Sequence, residues 1–292
     1  MFDGTANLHR PWARSARRQL VGRLRTPRVY SAAVWGTTEG MSKWIGQRAI
    51  ERHLSAADER FGLRLGAGLV ATIVAAVTFA LLLVLVRAGW APLRRMDTGV
   101  AATFNRIDTG QPELTKAAEI VSDVFGPNVF RVALMVIALV YVIRGERHHA
   151  TWLVITVFGG AALGFGLKEI VGRARPALPD PVSTAPGLSF PSGHALGASI
   201  GCCLLLLITL RFLPRGGRVA AVIAAALIVG AVALARVVLG VHFVSDVLAG
   251  IALGIGWVAV TTWAYVAWRR ETGQPVERPA DVGTPEQPVA GR

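Results

Sequence analysis

With 53% hydrophobic and 17% charged side chains among 292 residues, the chain is too apolar for an ordinary water-soluble domain and has a membrane protein's profile. A net charge of +13 suggests nucleic acid, but twelve of the 31 basic residues are crowded ahead of the first apolar run, where anionic lipid headgroups are the better partner. Cys202 and Cys203 are neighbours within an apolar run, point in different directions and carry no redox information.

Taken in chain order, residues 1–64 read as a basic leader, disordered in part or forming an interfacial helix. Trp44, Ile45, Ile50 and Leu54 could share the apolar face of that helix. No cleavable signal is visible in the leader. Six runs then approach the roughly 20 apolar residues that a helix needs to cross a bilayer. They are expected at about 65–87, 127–143, 151–167, 194–212, 219–240 and 247–268. The second is short and carries Arg131. The expected fold class is therefore all-α, a six-span membrane domain over residues 65–268, followed by a disordered tail at 269–292 rich in Pro, Gly and Glu.

Lys and Arg near span ends are retained in the cytoplasm. The leader, "RGERHH" after span two, "RFLPRGGR" after span four and Arg269 with Arg270 after span six are all basic and fall on one side. The loop between spans one and two has four basic residues against five acidic ones and falls on the other. Both termini are thus expected in the cytoplasm. His148 and His149 fall on that side and are left out of the site.

The remaining polar residues gather at the extracytoplasmic ends of spans three to six. In "KEIVGRARP", Lys168 and Arg175 are seven residues apart and share a face as long as the helix lasts, and cations aimed one way need an anion. In "RVVLGVHFVSDVLAG", Arg236 is followed by His242 and, four residues on, by Asp246. If span six begins near His242, the imidazole and the carboxylate share a helical face. Asp246 then fixes the tautomer of His242 and raises its basicity. Asp246 has no obvious competing partner in the sequence. In "FPSGHA", Ser192 and Gly193 open span four with a hydroxyl and unpaired backbone N–H groups, an oxyanion site at a positive helix end, and His194 enters the same layer.

These three stretches, in this order and beside membrane spans, resemble the three motifs of the type-2 phosphatidic acid phosphatase superfamily: K-x6-R-P, P-S-G-H and R-x5-H-x3-D. The resemblance covers about residues 95–268 and departs from the pattern at no motif position. It implies a six-helix membrane phosphatase that needs no metal and no cofactor. Lys168, Arg175, Ser192, Gly193 and Arg236 would cradle the phosphate, and His242 would attack phosphorus. Asp246 would orient His242, while His194 would protonate the leaving oxygen and then activate water. Arg173 is an additional cation, for a second phosphate or a lipid headgroup.

The resulting expectation is an integral membrane lipid phosphatase of the bacterial cytoplasmic membrane, its active site on the extracytoplasmic side. A polyprenyl diphosphate such as undecaprenyl diphosphate is the preferred substrate, with phosphatidic acid or phosphatidylglycerol phosphate next. Transfer of the phosphoryl group to another acceptor is a variant of the same chemistry. A noncatalytic anion or lipid transporter would use the cations but needs no histidine nucleophile. The related vanadium haloperoxidases are soluble and fit less well. Lipid phosphate and membrane lipids are the expected partners; the sequence leaves oligomeric state open.

Overall fold

Eight α-helices, and no strand, account for the regular structure of residues 68–272, the part of the chain that the structure, a computed structural model, describes. The expectations for the basic leader, and for the tail beyond residue 272, lie outside it. The helices are α1 (Gly68–Arg87), α2 (Ala91–Asp108), α3 (Pro112–Val124), α4 (Pro127–Ile143), α5 (Arg147–Val171), α6 (Gly193–Thr209), α7 (Arg215–Val238) and α8 (Val244–Glu271). Pro92, Pro112 and Pro127 lie in the first turns of α2, α3 and α4, where a missing N–H costs nothing and a fixed φ favours the helix.

Six segments are long and apolar enough to cross a membrane: α1, α3 with α4, α5, α6 with the short 3-10 turn that follows it, α7, and α8. Each contains or overlaps an expected span, and the last four overrun their expected boundaries by a few residues at one end or both. The sequence reading treated the segment between spans one and two as a loop. The structure places α2 and α3 there.

Lipid-facing surface and helix contacts divide the bundle clearly. Only 6% of the apolar window of α1 is buried, and Leu69, Val70, Val74 and Val77 are exposed, as suits a helix facing hydrocarbon. By contrast, half of the α6 window is buried, because α6 packs against α4, α5, α7 and α8. Its contact with α8 depends on small residues. A Cβ at Gly250 would lie 2.6 Å from the Ser192 carbonyl oxygen, and one at Gly254 would lie 2.7 Å from Ser199 Cβ. Close approach of backbones through such a G-x-x-x-G pair is how membrane helices pack without a hydrophobic driving force between them. Here it brings the first turn of α8 against the first turn of α6.

Candidate active site

Four helix ends meet at one end of the bundle: the C-termini of α5 and α7 and the N-termini of α6 and α8. Helix C-termini favour cations and N-termini favour anions. The last turns of α5 and α7 carry Lys168 and Arg236, and α6 begins at Gly193 with Ser192 as its cap residue.

Two glycines set the turns. Gly172 ends α5 in the left-handed region at φ 66°, donating its N–H to the Lys168 carbonyl. The helix therefore stops before Arg175, so the face that Lys168 and Arg175 would share in a continuing helix does not form; Arg175 reaches the site from the connecting segment. Gly240, φ 67°, turns the chain at the end of α7, and a Cβ there would also meet Leu178. His242 follows in that turn, ahead of α8.

His242 is thus outside the helix, and its relation to Asp246 is not the helical i,i+4 pairing anticipated from the sequence. Instead Asp246 turns back: its Oδ2 accepts the Phe243 N–H at 2.9 Å, capping α8, and lies 3.6 Å from His242 Nδ1. On the other side of the ring, Arg175 Nη1 donates to the Val241 carbonyl at 2.7 Å and stands 3.2 Å from His242 Nε2. A guanidinium can only donate, so Nε2 is the acceptor, and in the neutral imidazole the proton is on Nδ1, facing the carboxylate. Burial pushes the His242 pKa down to about 4 against the opposing pull of Asp246, with Arg175 and Arg236 adding to the fall. The ring is therefore neutral near pH 7, with a lone pair on Nε2.

Arg175 is held in place by the segment before α6. Its Nε and Nη2 each donate at 3.0 Å, to the carbonyls of Gly187 and Pro186. Burial lowers its pKa somewhat, but an arginine stays charged. Lys168 donates to the Leu188 carbonyl at 2.8 Å. Arg236 is buried, with Nε unpartnered and Nη1 3.4 Å from Ser122 Oγ. Ser192 is fully buried with an unpartnered Oγ. Its N–H, expected to be unpaired, donates to the Asp246 carbonyl at 3.0 Å. His194, half-buried, has Arg236, His242, Lys168 and Arg175 as its charged neighbours. Gly193 leaves the space beside it open.

Arg173 departs most from expectation. Rather than standing ready for a second phosphate, its Nη1 donates to Asp246 Oδ1 at 2.6 Å and to Ser245 Oγ at 2.7 Å, while Nη2 donates to Asp97 Oδ2 at 2.8 Å. Its guanidinium also covers the Phe243 ring. Asp246 accordingly has a competing partner. Asp97, on α2, is the residue missed from sequence: it is buried, accepts the Ser245 N–H at 3.0 Å and bonds the Ser245 hydroxyl at 2.5 Å. The signal available was a polar face on α2, since Asp97, Asn105 and Asp108 are buried together with Ala101. Asn105 donates to the Asp180 carbonyl at 2.7 Å, so the same face also anchors the α5–α6 connection.

Next to the cations, a cavity of about 290 Å³ runs between α4, α5 and α6. Lys168, Glu169, Arg131 and Gly193 line it together with apolar groups such as Phe130, Leu134, Val157 and Ile200.

Residues 149–270 match the family described as the PAP2 superfamily. The chain is 34% identical over 125 residues to a decaprenylphosphoryl-5-phosphoribose phosphatase of Mycobacterium tuberculosis, covering 41% of this chain and 64% of that one. It is 37% identical over 118 residues to phosphatidylglycerophosphatase B of Bacillus subtilis, covering 37% and 56%. To an undecaprenyl-diphosphatase of Sulfolobus acidocaldarius it is 33% identical over 131 residues, covering 42% and 58%. The matched part thus spans less than two thirds of each relative's length. The crystal structure of a transmembrane PAP2 type phosphatidylglycerolphosphate phosphatase from Bacillus subtilis superposes with a TM-score of 0.55 at 25% identity, over 64% of this chain and 94% of that one. The protein is an integral membrane protein, and its residues 149–270 are similar to the PAP2 superfamily.

Proposed function

We propose that the protein is a lipid phosphatase working through a phosphohistidine on His242. The observation that carries this reading is the setting of the His242 ring: Nδ1 turned to Asp246, and Nε2 aimed at the arginine that an incoming phosphate would engage. In the first half-reaction, Nε2 forms a bond to phosphorus as the bond to the leaving oxygen breaks, and His194 gives that oxygen a proton. In the second, a water molecule loses a proton to His194 and attacks phosphorus. The P–N bond breaks and orthophosphate leaves. Lys168, Arg175, Arg236, the Ser192 hydroxyl and the Gly193 N–H hold the three equatorial oxygens. Their charges and dipoles meet the negative charge that spreads over those oxygens in the transition state, so protein cations supply what a metal would otherwise do. Arg175 gives up His242 Nε2 for a phosphate oxygen when substrate binds.

The apolar cavity between α4, α5 and α6 supports a lipid as the leaving group. A polyprenyl diphosphate is the preferred substrate, on the strength of the decaprenyl and undecaprenyl relatives. Phosphatidylglycerol phosphate is the second choice, on the strength of the Bacillus relative. The basic segments after spans two, four and six support a cytoplasmic location for both termini, with the site on the outer side of the bacterial cytoplasmic membrane.

Purified protein in detergent, given a panel of lipid phosphates, should release orthophosphate and form an acid-labile phosphoenzyme. Release from no member of the panel, by protein that is folded, would overturn the assignment. Orientation is tested by single cysteines in intact cells: one at Ala177 or Val244 should react with an impermeant thiol reagent, and one at Gly216 should not. The reverse pattern would put the site in the cytoplasm.

A further inference from the structure

Arg131 is unexplained by the reaction above. It lies on α4, one turn in from Pro127, inside a membrane-crossing segment, where an ionisable side chain is costly and calls for a partner. The partner within the fold is a neutral one: Nη1 donates to Asn128 Oδ1 at 2.6 Å, and among the described residues Arg131 makes no ion pair. Asn128, three residues earlier on the same helix, steers the guanidinium without neutralising it. Arg131 lines the cavity that Lys168 and Gly193 also line. Arg131 is therefore a second cation in the space next to the phosphate cradle, on the side where the leaving group of a lipid phosphate has to lie. Glu169 also lines this cavity, but it is exposed at the α5 end of the wall and makes no ion pair with Arg131.

We propose that Arg131 is a specificity-determining residue that binds a second phosphoryl group, the one the lipid keeps after cleavage. The proposal rests on the phosphatase reading. A leaving group that is itself a phosphate ester brings a negative charge into the apolar cavity beside the scissile phosphoryl group. Arg131 meets that charge with a charge-assisted hydrogen bond in a largely apolar medium, while Lys168 on the same cavity wall serves the scissile phosphate. A simple monophosphate brings no charge there and leaves the guanidinium with Asn128 alone. The site thus prefers lipids whose leaving group carries phosphate, such as diphosphates, over monophosphates of the same chain.

Farnesyl diphosphate and farnesyl monophosphate, identical in chain, provide the test in neutral detergent micelles. The wild type should have the higher kcat/KM on the diphosphate. Arg131→Gln should lose about tenfold to a hundredfold on the diphosphate, the worth of one hydrogen bond to a charged group, and stay within about twofold on the monophosphate. Arg131→Lys should fall between, since it keeps the charge and loses the planar fork. Unchanged monophosphate turnover doubles as the check that the variants are folded. Equal losses on both substrates, or no loss on either, would overturn the assignment of Arg131 while leaving the phosphatase reading intact. Binding is read independently of turnover with a farnesyl methylenediphosphonate, which should raise the melting temperature of the wild type more than that of Arg131→Gln. An equal rise in both overturns the subsite. If the wild type hydrolyses neither farnesyl substrate nor any other lipid phosphate, the phosphatase reading fails instead.

Discussion

Each end of the bundle buries a histidine beside a carboxylate, and only one of the two pairs is equipped for chemistry. At the end where α5 finishes, His242 Nδ1 faces Asp246 at 3.6 Å and Nε2 faces Arg175 at 3.2 Å, with Arg236 as a further charged neighbour. At the other end, His149 Nδ1 is 2.8 Å from Glu146, a tighter pair. Its ring, however, packs tilted against Tyr141 and Tyr265, at 5.4 and 5.5 Å between centroids. A carboxylate fixes one nitrogen in both cases. What differs is the surroundings of the ring: Arg175 directly on the second nitrogen in one, and in the other two tyrosine rings, with Arg269 tied to the Tyr265 hydroxyl. A histidine–carboxylate pair is a packing element until its free nitrogen faces a place where a substrate atom can stand.

The sharpest way to break this contrast is to remove each histidine in turn. His242→Ala should abolish phosphate release on every lipid phosphate and form no phosphoenzyme. His149→Ala should keep turnover within a few-fold of wild type and instead destabilise the fold by about 2 kcal/mol, seen as a lowered melting temperature in detergent. Loss of activity in His149→Ala with an unchanged melting temperature would erase the distinction.

Next come the cations. Arg175→Ala or Arg236→Ala should cost about a hundredfold or more in kcat, the scale of a missing oxyanion-site donor. Arg269→Ala, which removes a buried cation from the opposite end, should cost stability and little turnover.

Asp97 sharpens the comparison, because it lies at the His242 end but bonds Arg173 and Ser245 instead of the histidine. Asp97→Asn keeps the shape but loosens Arg173, and through it the Asp246 carboxylate that lies 3.6 Å from His242 Nδ1. We expect a fall in kcat of about tenfold at nearly unchanged KM, as for a group that acts only on transition-state geometry. A rise in KM alone would mean that Asp97 contributes to binding instead.

A smaller effect concerns acid. His242 has its pKa lowered in the folded state from 6.5 to about 4, so the unfolded chain binds the extra proton first. Its contribution to stability is complete above pH 6.5 and is lost as pH falls towards 4, at most on the order of 3 kcal/mol. Melting temperature should drop over that interval in the wild type and drop less in His242→Gln. Identical slopes would mean that the ring is not held neutral by burial. Smallest of all, a chelator should leave turnover unchanged. A loss restored only by added metal would require a different mechanism.

The six spans were legible because about twenty apolar residues in a row have few other uses. The gathering of Lys168, Arg236, His242 and Asp246 at one end of the bundle was legible because their stretches lie at the same ends of successive spans and follow in the order of a known set of motifs. What escaped the sequence reading depended on partners far along the chain. Asp97 meets Arg173 and Ser245 across 76 and 148 residues, and no periodicity reports such pairings. On α2 the buried face is the polar one, the inverse of the usual pattern, so it read as a loop exposed to water. Helix ends were the other source of error. The left-handed turn at Gly172 and the turn at Gly240 put Arg175 and His242 outside the helices, which spacing alone had left open.

The cavity between α4, α5 and α6 also fixes what concentration means for this protein. A substrate whose chain stays between the helices and the bilayer arrives by diffusion in the plane of the leaflet, and its abundance is a mole fraction among lipids rather than an amount per volume of water. Diluting a mixed micelle with neutral detergent, at constant total protein and substrate, should therefore slow turnover, while adding water at a fixed detergent-to-substrate ratio should scarcely change the rate per protein molecule.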